Sequence, residues 1–299
     1  MNKNAKKLIV VVGPNASGKS DLAIKIAKAV GGQVISADSR QVYKGLDIGS
    51  GKIKKSEMGG IKHHLLDVAN PRSVFSVTRY RKLALAAIKR ILKEGDIPII
   101  CGGTGFYIQA VVDGIVIPEV KPNWALRKKL EKLSTEKLFL MLQKLDPHRA
   151  QNIESKNPRR LIRAIEIVKT TKNPVPEITK DPLPYDTLFI GVKIDKNKLK
   201  RLIAIRTGKR LKSGMVAETR RLRKNGLSWK KLENFGLEYR ACAQFLQKKI
   251  TAPEMAERIK REDEQYAKRQ MTWFSRDTRI NWLTPKIALS RAKKFAKNN

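Results

Sequence analysis

The stretch Gly13-Pro14-Asn15-Ala16-Ser17-Gly18-Lys19-Ser20 constrains this chain more than any other. It fits the phosphate-binding loop pattern G-x-x-x-x-G-K-S/T without a mismatch. Its flanks are also right. Residues 8–12, all apolar, read as a short buried strand, and Leu22, Ala23, Ile26, Ala27 and Val30 recur at helical spacing. A loop between a strand and a helix N-terminus offers free backbone N–H groups and the positive end of the helix dipole to an anion. Gly13 and Gly18 let the backbone wrap a phosphate group. Lys19 supplies a point charge for the outer phosphate, and Ser20 is a candidate ligand for Mg²⁺. The competing reading, a chance match in a glycine-containing turn, is disfavoured by both flanks. The motif does not say which phosphate compound binds.

A second strand is expected at 33–37, followed by Asp38-Ser39-Arg40-Gln41-Val42-Tyr43. In a parallel sheet the loop after this strand opens beside the phosphate loop, so Asp38 is a candidate for chemistry. A turn-capping aspartate is the alternative. Residues 43–62 have the Gly- and Lys-rich composition of a mobile loop, and 63–68 reads as a further short strand. His63 and His64 would point to opposite faces of it, which argues against a shared metal. A helix is expected over 76–93 from a Ser cap. A buried strand over 97–101 then runs into Gly102-Gly103-Thr104-Gly105. Thr104 could offer its hydroxyl to a phosphate or a base, or the turn could be a plain connection. Alternating strands and helices predict a doubly wound α/β sheet.

From 115 to 185 the pattern changes to helices, expected at 124–133, 135–145 and 158–171, the last opening on Arg159, Arg160 and Arg163. One more strand at 188–194 and a set of basic helices follow, including 253–274. The resulting organisation is a core over 1–114, a helical insertion over 115–186, the remainder of the core over 187–285, and a basic tail or frayed helix over 286–299.

Charge narrows the partner. The 64 Lys and Arg against 27 Asp and Glu give a formal net charge of +37, spread along the 299 residues. That favours a polyanion, nucleic acid first and an acidic membrane surface second, with compositional drift toward Lys as the bland alternative. Cys101 and Cys242 are far apart and form no C-x-x-C pair, so neither a zinc site nor a disulfide framework is expected. With a polar N-terminus and no apolar run near the roughly 20 residues of a membrane span, the expected setting is the cytoplasm, off the membrane.

Five stretches carry a resemblance: GPNASGKS at 13–20, ISADSRQVYKGLDIGSGK at 35–52, PIICGGTGFY at 98–107, NPRRLIRAIEI at 157–167 and YAKRQMTWF at 266–274. Through them the chain resembles the bacterial tRNA dimethylallyltransferases, which prenylate the adenosine immediately 3′ of the anticodon. The resemblance implies an α/β, P-loop kinase-like parallel sheet with a helical insertion domain. It implies that the phosphate loop holds the diphosphate of dimethylallyl diphosphate and not ATP, with Mg²⁺ on Ser20. Asp38 matches the general base, Thr104 a residue touching both diphosphate and tRNA, and Arg206 a diphosphate-binding arginine. Matches to contacts with the tRNA anticodon stem-loop are Asp38, Ser39, Arg40 and Gln41; Thr104 and Arg127; Arg159, Arg160, Leu161, Ile162 and Arg163; and Lys268, Arg269 and Gln270. A monomer is the expected state. Asn15 stands where Thr is usual and Arg40 where Met is usual, and Gly236-Leu237-Glu238-Tyr239-Arg240 replaces the usual Gly-Tyr-Lys-Glu.

Two other readings use the same loop. A nucleoside or metabolite kinase would explain the loop and Mg²⁺ but leaves the basic charge and the helical insertion without a role. An RNA-binding NTPase switch is the second.

Overall fold

Leu8 to Val12 form a strand with almost no solvent exposure, as a strand covered on both faces requires. This strand, β1 (Lys7–Val12), lies between β4 (Ile97–Gly102) and β5 (Asp186–Val192), with Ile9 opposite both Ile99 and Leu188. The computed structural model describes residues 6–115, 118, 120–177 and 179–298. Among them, β2 (Gly32–Ser36), β3 (His63–His64) and β6 (Asn281–Leu283) complete a six-stranded, all-parallel sheet in the order β3-β2-β4-β1-β5-β6.

Alternate residues of β1 feed two cores. Leu8, Val10 and Val12 join α2 (Val77–Lys93) and α3 (Gly105–Val112) on one face. Ile9 and Val11 join α1 (Lys19–Val30) and α13 (Pro285–Lys297) on the other. Each fully buried aliphatic side chain contributes about 1.5–3 kcal/mol. The remaining helices of this unit are α8 (Lys196–Lys212), α9 (Met215–Lys224), α10 (Trp229–Asn234), α11 (Leu237–Leu246) and α12 (Ala252–Phe274). The longest, α12, starts at a reciprocal capping box between Thr251 and Glu254.

The chain divides into two compact units, one of them Gly114–Asp181. This helical unit contains α4 (Trp124–Leu130), α5 (Thr135–Leu145), α6 (Pro147–Gln151) and α7 (Pro158–Thr171). Asn123, Ser134, Asp146 and Asn157 cap their N-termini through side-chain oxygens. Leu130, Leu138, Leu142, Leu161 and Ile165 form its own core.

Several sequence expectations need correction. The helical unit ends at Asp181 and not at 186, because Leu183 and Tyr185 pack into the core of the other unit. The strand expected over 63–68 stops at His64, since Leu65 and Asp67 take positive φ of 64° and 56° and leave the extended conformation. Residues 43–52 are tied down: the Glu218 carboxylate accepts from the backbone N–H of Asp47, Ile48 and Gly49. Nor is 286–298 a frayed tail. Ala288 and Ala292 of α13 are fully buried in the second core, and the Lys7 ammonium donates to the carbonyls of Ala296 and Asn298. The short β6 and α6 were not expected; Asp146-Pro147, a cap followed by proline at the first helical position, was the missed signal for α6. No helix among the described residues is long and apolar enough to cross a membrane.

Candidate active site

Three loops leave the C-terminal edge of adjacent strands: 13–18 after β1, 37–41 after β2 and 103–104 after β4. Such an edge is where open parallel sheets bind ligands. In the first, Gly18 holds φ of 80° as the residue preceding α1, a conformation that favours glycine. The half-buried Lys19 ammonium donates to the Pro14 carbonyl at 3.3 Å. Burial lowers its pKa, while the neighbouring Cys101 and Asp38 work in the opposite direction. The Ser17 hydroxyl and the Arg206 Nε are buried without a hydrogen-bond partner among the described residues. Such groups are costly unless something completes them, and an anion suits this set.

Asp38 has two oxygens with different surroundings. Oδ1 accepts from the backbone N–H of Arg40 at 2.7 Å and of Gln41 at 3.3 Å, so the turn-capping role is real. Oδ2 has no hydrogen-bond partner among the described residues, and Asp38 lines a cavity of about 530 Å³ with Asn15, Arg40, Arg210, Tyr266 and Arg269. The Thr104 hydroxyl accepts from the Ser39 backbone N–H at 3.1 Å, fastening the second loop to the third.

Helix α12 clasps these loops. The Gln270 Oε1 accepts from the Asn15 backbone N–H at 2.8 Å and its Nε2 donates to the Gly103 carbonyl at 3.0 Å. A Cβ on Gly103 would stand 2.1 Å from that Nε2, so only glycine admits the clasp. Both ends of the buried Gln270 amide are thereby occupied, tying the phosphate loop to the turn after β4. Fully buried Asp263 accepts from the Asn15 Nδ2 at 3.2 Å and from the Arg206 Nη2 at 3.3 Å. Asn15, in place of the usual Thr, thus supplies an amide donor to this carboxylate. Burial lowers the Arg206 pKa, with Arg210 acting in the same direction and Asp263 against it.

One helical turn beyond Arg206, Arg210 donates to Glu238 at 2.8 Å and to the Gly49 carbonyl at 3.4 Å. Burial and the Asp263 carboxylate push Glu238 up to about 7, against the pull of Arg210. Asp263, Arg210 and Glu238 were missed by sequence reasoning. Nothing in a run of basic or acidic helical residues marks which ones turn inward.

The helical unit separates the expected tRNA contacts. Arg159 and Arg160 are exposed, the latter 3.3 Å from Glu154. Arg127 and Arg163 both bind the fully buried Glu166, at 2.6 Å each. Burial alone would raise the Glu166 pKa, but these bonds outweigh it and hold the carboxyl below its ordinary value. Leu161 and Ile162, between these arginines, are buried in the core of the unit, where they seat α7. On α12, Lys268 and Arg269 are exposed, and the Arg269 guanidinium lies over the Tyr266 ring at 5.7 Å.

The sequence profile of the family described as IPP transferase matches residues 41–277. The chain belongs to the IPP transferase family. This family member is 39% identical over 299 residues to the tRNA dimethylallyltransferase of Acetivibrio thermocellus, covering 97% of this chain and 95% of that relative. To the tRNA dimethylallyltransferase of Carboxydothermus hydrogenoformans it is 42% identical over 286 residues, covering 93% and 92%. Among solved structures, the tRNA isopentenylpyrophosphate transferase of Bacillus halodurans superposes on this family member with a TM-score of 0.73 at 32% identity, covering 97% of this chain and 95% of that one. A eukaryotic dimethylallyltransferase, captured acting on tRNA, superposes with a TM-score of 0.78 at 27% identity, covering 94% of this chain and 74% of its own. The α/β, P-loop-type sheet expected from the sequence is therefore the fold of this IPP transferase family member.

Proposed function

We propose that this chain transfers a dimethylallyl group from dimethylallyl diphosphate to N6 of the adenosine immediately 3′ of the anticodon in tRNA, releasing diphosphate. The observation that carries this reading is Asp38, which lines a cavity with Asn15 of the phosphate loop and whose Oδ2 is unpaired among the described residues. The N6 lone pair forms the new bond to the allylic carbon as the carbon–oxygen bond breaks and its electron pair leaves with the diphosphate. The proton on N6 passes to Asp38 Oδ2. Charge growing on the leaving diphosphate meets the loop amides, Lys19 and Arg206, whose spare donors are already in place. The base must leave its stack to reach such a site.

Mg²⁺ belongs to the same reading. No group of three His, Cys, Asp or Glu side chains among the described residues could hold a metal by itself. A Mg²⁺ ion takes one or two protein ligands and completes its shell with phosphate oxygens and water, and exposed Ser20 in the first turn of α1 suits that donor set. Bound there, it would neutralise diphosphate charge. We place the enzyme in the cytoplasm, where the buried Cys101 and Cys242 would stay free thiols.

Mass spectrometry after incubation with an anticodon stem-loop RNA and either dimethylallyl diphosphate or ATP tests the proposal. The expected result is RNA heavier by one C₅H₈ unit with the first donor only. Phosphoryl transfer from ATP without prenylation would overturn it in favour of a kinase.

The tRNA reading makes a quantitative demand on α7. Replacing exposed Arg159 and Arg160 by Ala is expected to lower the log–log salt slope of tRNA binding by up to about 2, one per lost phosphate contact. Arg163→Ala is expected to act differently, lowering the melting temperature because Glu166 would keep its burial with one cation fewer. An unchanged slope in the double variant would make Arg159 and Arg160 a solvated face.

A further inference from the structure

Three of the four tryptophans, Trp229, Trp273 and Trp282, pack against the main core. Trp124 does not. It opens α4 in the helical unit with 58% of its surface exposed. A large aromatic ring gains nothing from water, so its mounting bears on its role. The Arg127 guanidinium lies over the ring at 5.1 Å from the centroid. Arg127 is itself fixed by two hydrogen bonds to fully buried Glu166, at 2.8 and 2.6 Å. The same carboxylate accepts from the Asn123 backbone N–H at 2.7 Å, immediately before the tryptophan. Ring, stacked cation and local backbone are thus held by one buried anchor, leaving a preorganised aromatic face. The surroundings are cationic: from Lys121 to Lys132 stand five basic residues, with Glu131 the one acid.

We infer that Trp124 is a stacking platform for an unpaired base of the tRNA anticodon loop. The inference rests on the reading of tRNA as substrate and adds a contact that phosphate-binding arginines cannot make. Every nucleobase has a π-face, and an exposed ring within a basic patch is how single-stranded nucleic acid is gripped without reading its sequence. Arg127, already on the ring, extends the platform by cation–π stacking. A protein partner with an acidic, aromatic surface is the rival occupant, and the charge excess of this chain favours RNA.

The test measures binding of the full chain to an anticodon stem-loop RNA and to a duplex of the stem alone, at several salt concentrations. Trp124→Ala is expected to weaken loop binding about 5- to 150-fold, the range for one stacked base, and to leave duplex binding unchanged. The salt slope should stay the same, because a ring releases no counterions. Trp124→Phe should retain most of the affinity. The emission difference between wild type and Trp124→Phe should be quenched by the loop RNA and not by the duplex, a readout that stability does not move. Unaltered loop affinity in Trp124→Ala would overturn the inference, as would an equal loss on the duplex or a loss that Phe does not rescue. A wild-type protein that binds no RNA would bring down the underlying tRNA reading as well.

Discussion

Asp38→Asn is expected to lower kcat about 10²–10⁴-fold, the range for a lost general base, with little change in affinity for tRNA or dimethylallyl diphosphate. The structure makes this substitution unusually clean. Asn keeps the oxygen that accepts from the Arg40 and Gln41 backbone N–H groups, so the turn after β2 survives. What changes is the second oxygen, which becomes an amide nitrogen and cannot accept a proton. Asp38→Ala serves as the control. It removes both functions and should add a stability loss of about 0.5–2 kcal/mol, the value of a cap. Single-turnover prenylation at saturating substrates, with melting temperatures alongside, separates the two roles. A near-wild-type rate in Asp38→Asn would leave capping as the only role of this residue.

Lys19→Met is expected to lower kcat/KM for prenyl transfer about 10²–10³-fold, the effect of removing one preorganised charge from a leaving group. Filter binding of tRNA should be almost unaffected. The free protein should become more stable. In the folded chain Lys19 is a half-buried, desolvated cation whose one hydrogen-bond partner among the described residues is the Pro14 carbonyl. Its pKa is lowered from 10.5, so its contribution to stability is present above 10.5 and is lost as pH falls through the folded-state value. Methionine fills similar space without the charge and removes that dependence. Activity falling while melting temperature rises is the mark of a residue kept for its ligand; a fall in both would make Lys19 a structural residue.

Much of this was legible in the chain itself. The phosphate loop, its strand and its helix follow from glycine placement and apolar periodicity, which act within a few residues. The helices over 135–145 and 158–171 were read to the residue because a cap and a periodic face bound each of them. The family was legible too, since the stretches that carry it are contiguous. Asp38 could be named as a candidate for chemistry from its place after β2 and as a general base from the resemblance, but not which of its oxygens would be occupied.

What the sequence by itself determined was therefore local: where the backbone bends around a phosphate, which segments are strands, and which helices start at which caps. The tertiary structure alone decided how distant side chains share their partners. Asn15 meets Asp263 and Gln270 across some 250 residues of chain. Of the arginines in the helical unit, two stay exposed and two are drawn to one buried carboxylate. Two alanines of a terminal segment that reads as solvated are sealed into the sheet's second core. The physical reason is the same in each case. A side chain's local pattern fixes its direction on its own helix or strand, but burial, pairing and charge depend on the surface that packs against it, and no short-range signal encodes that surface.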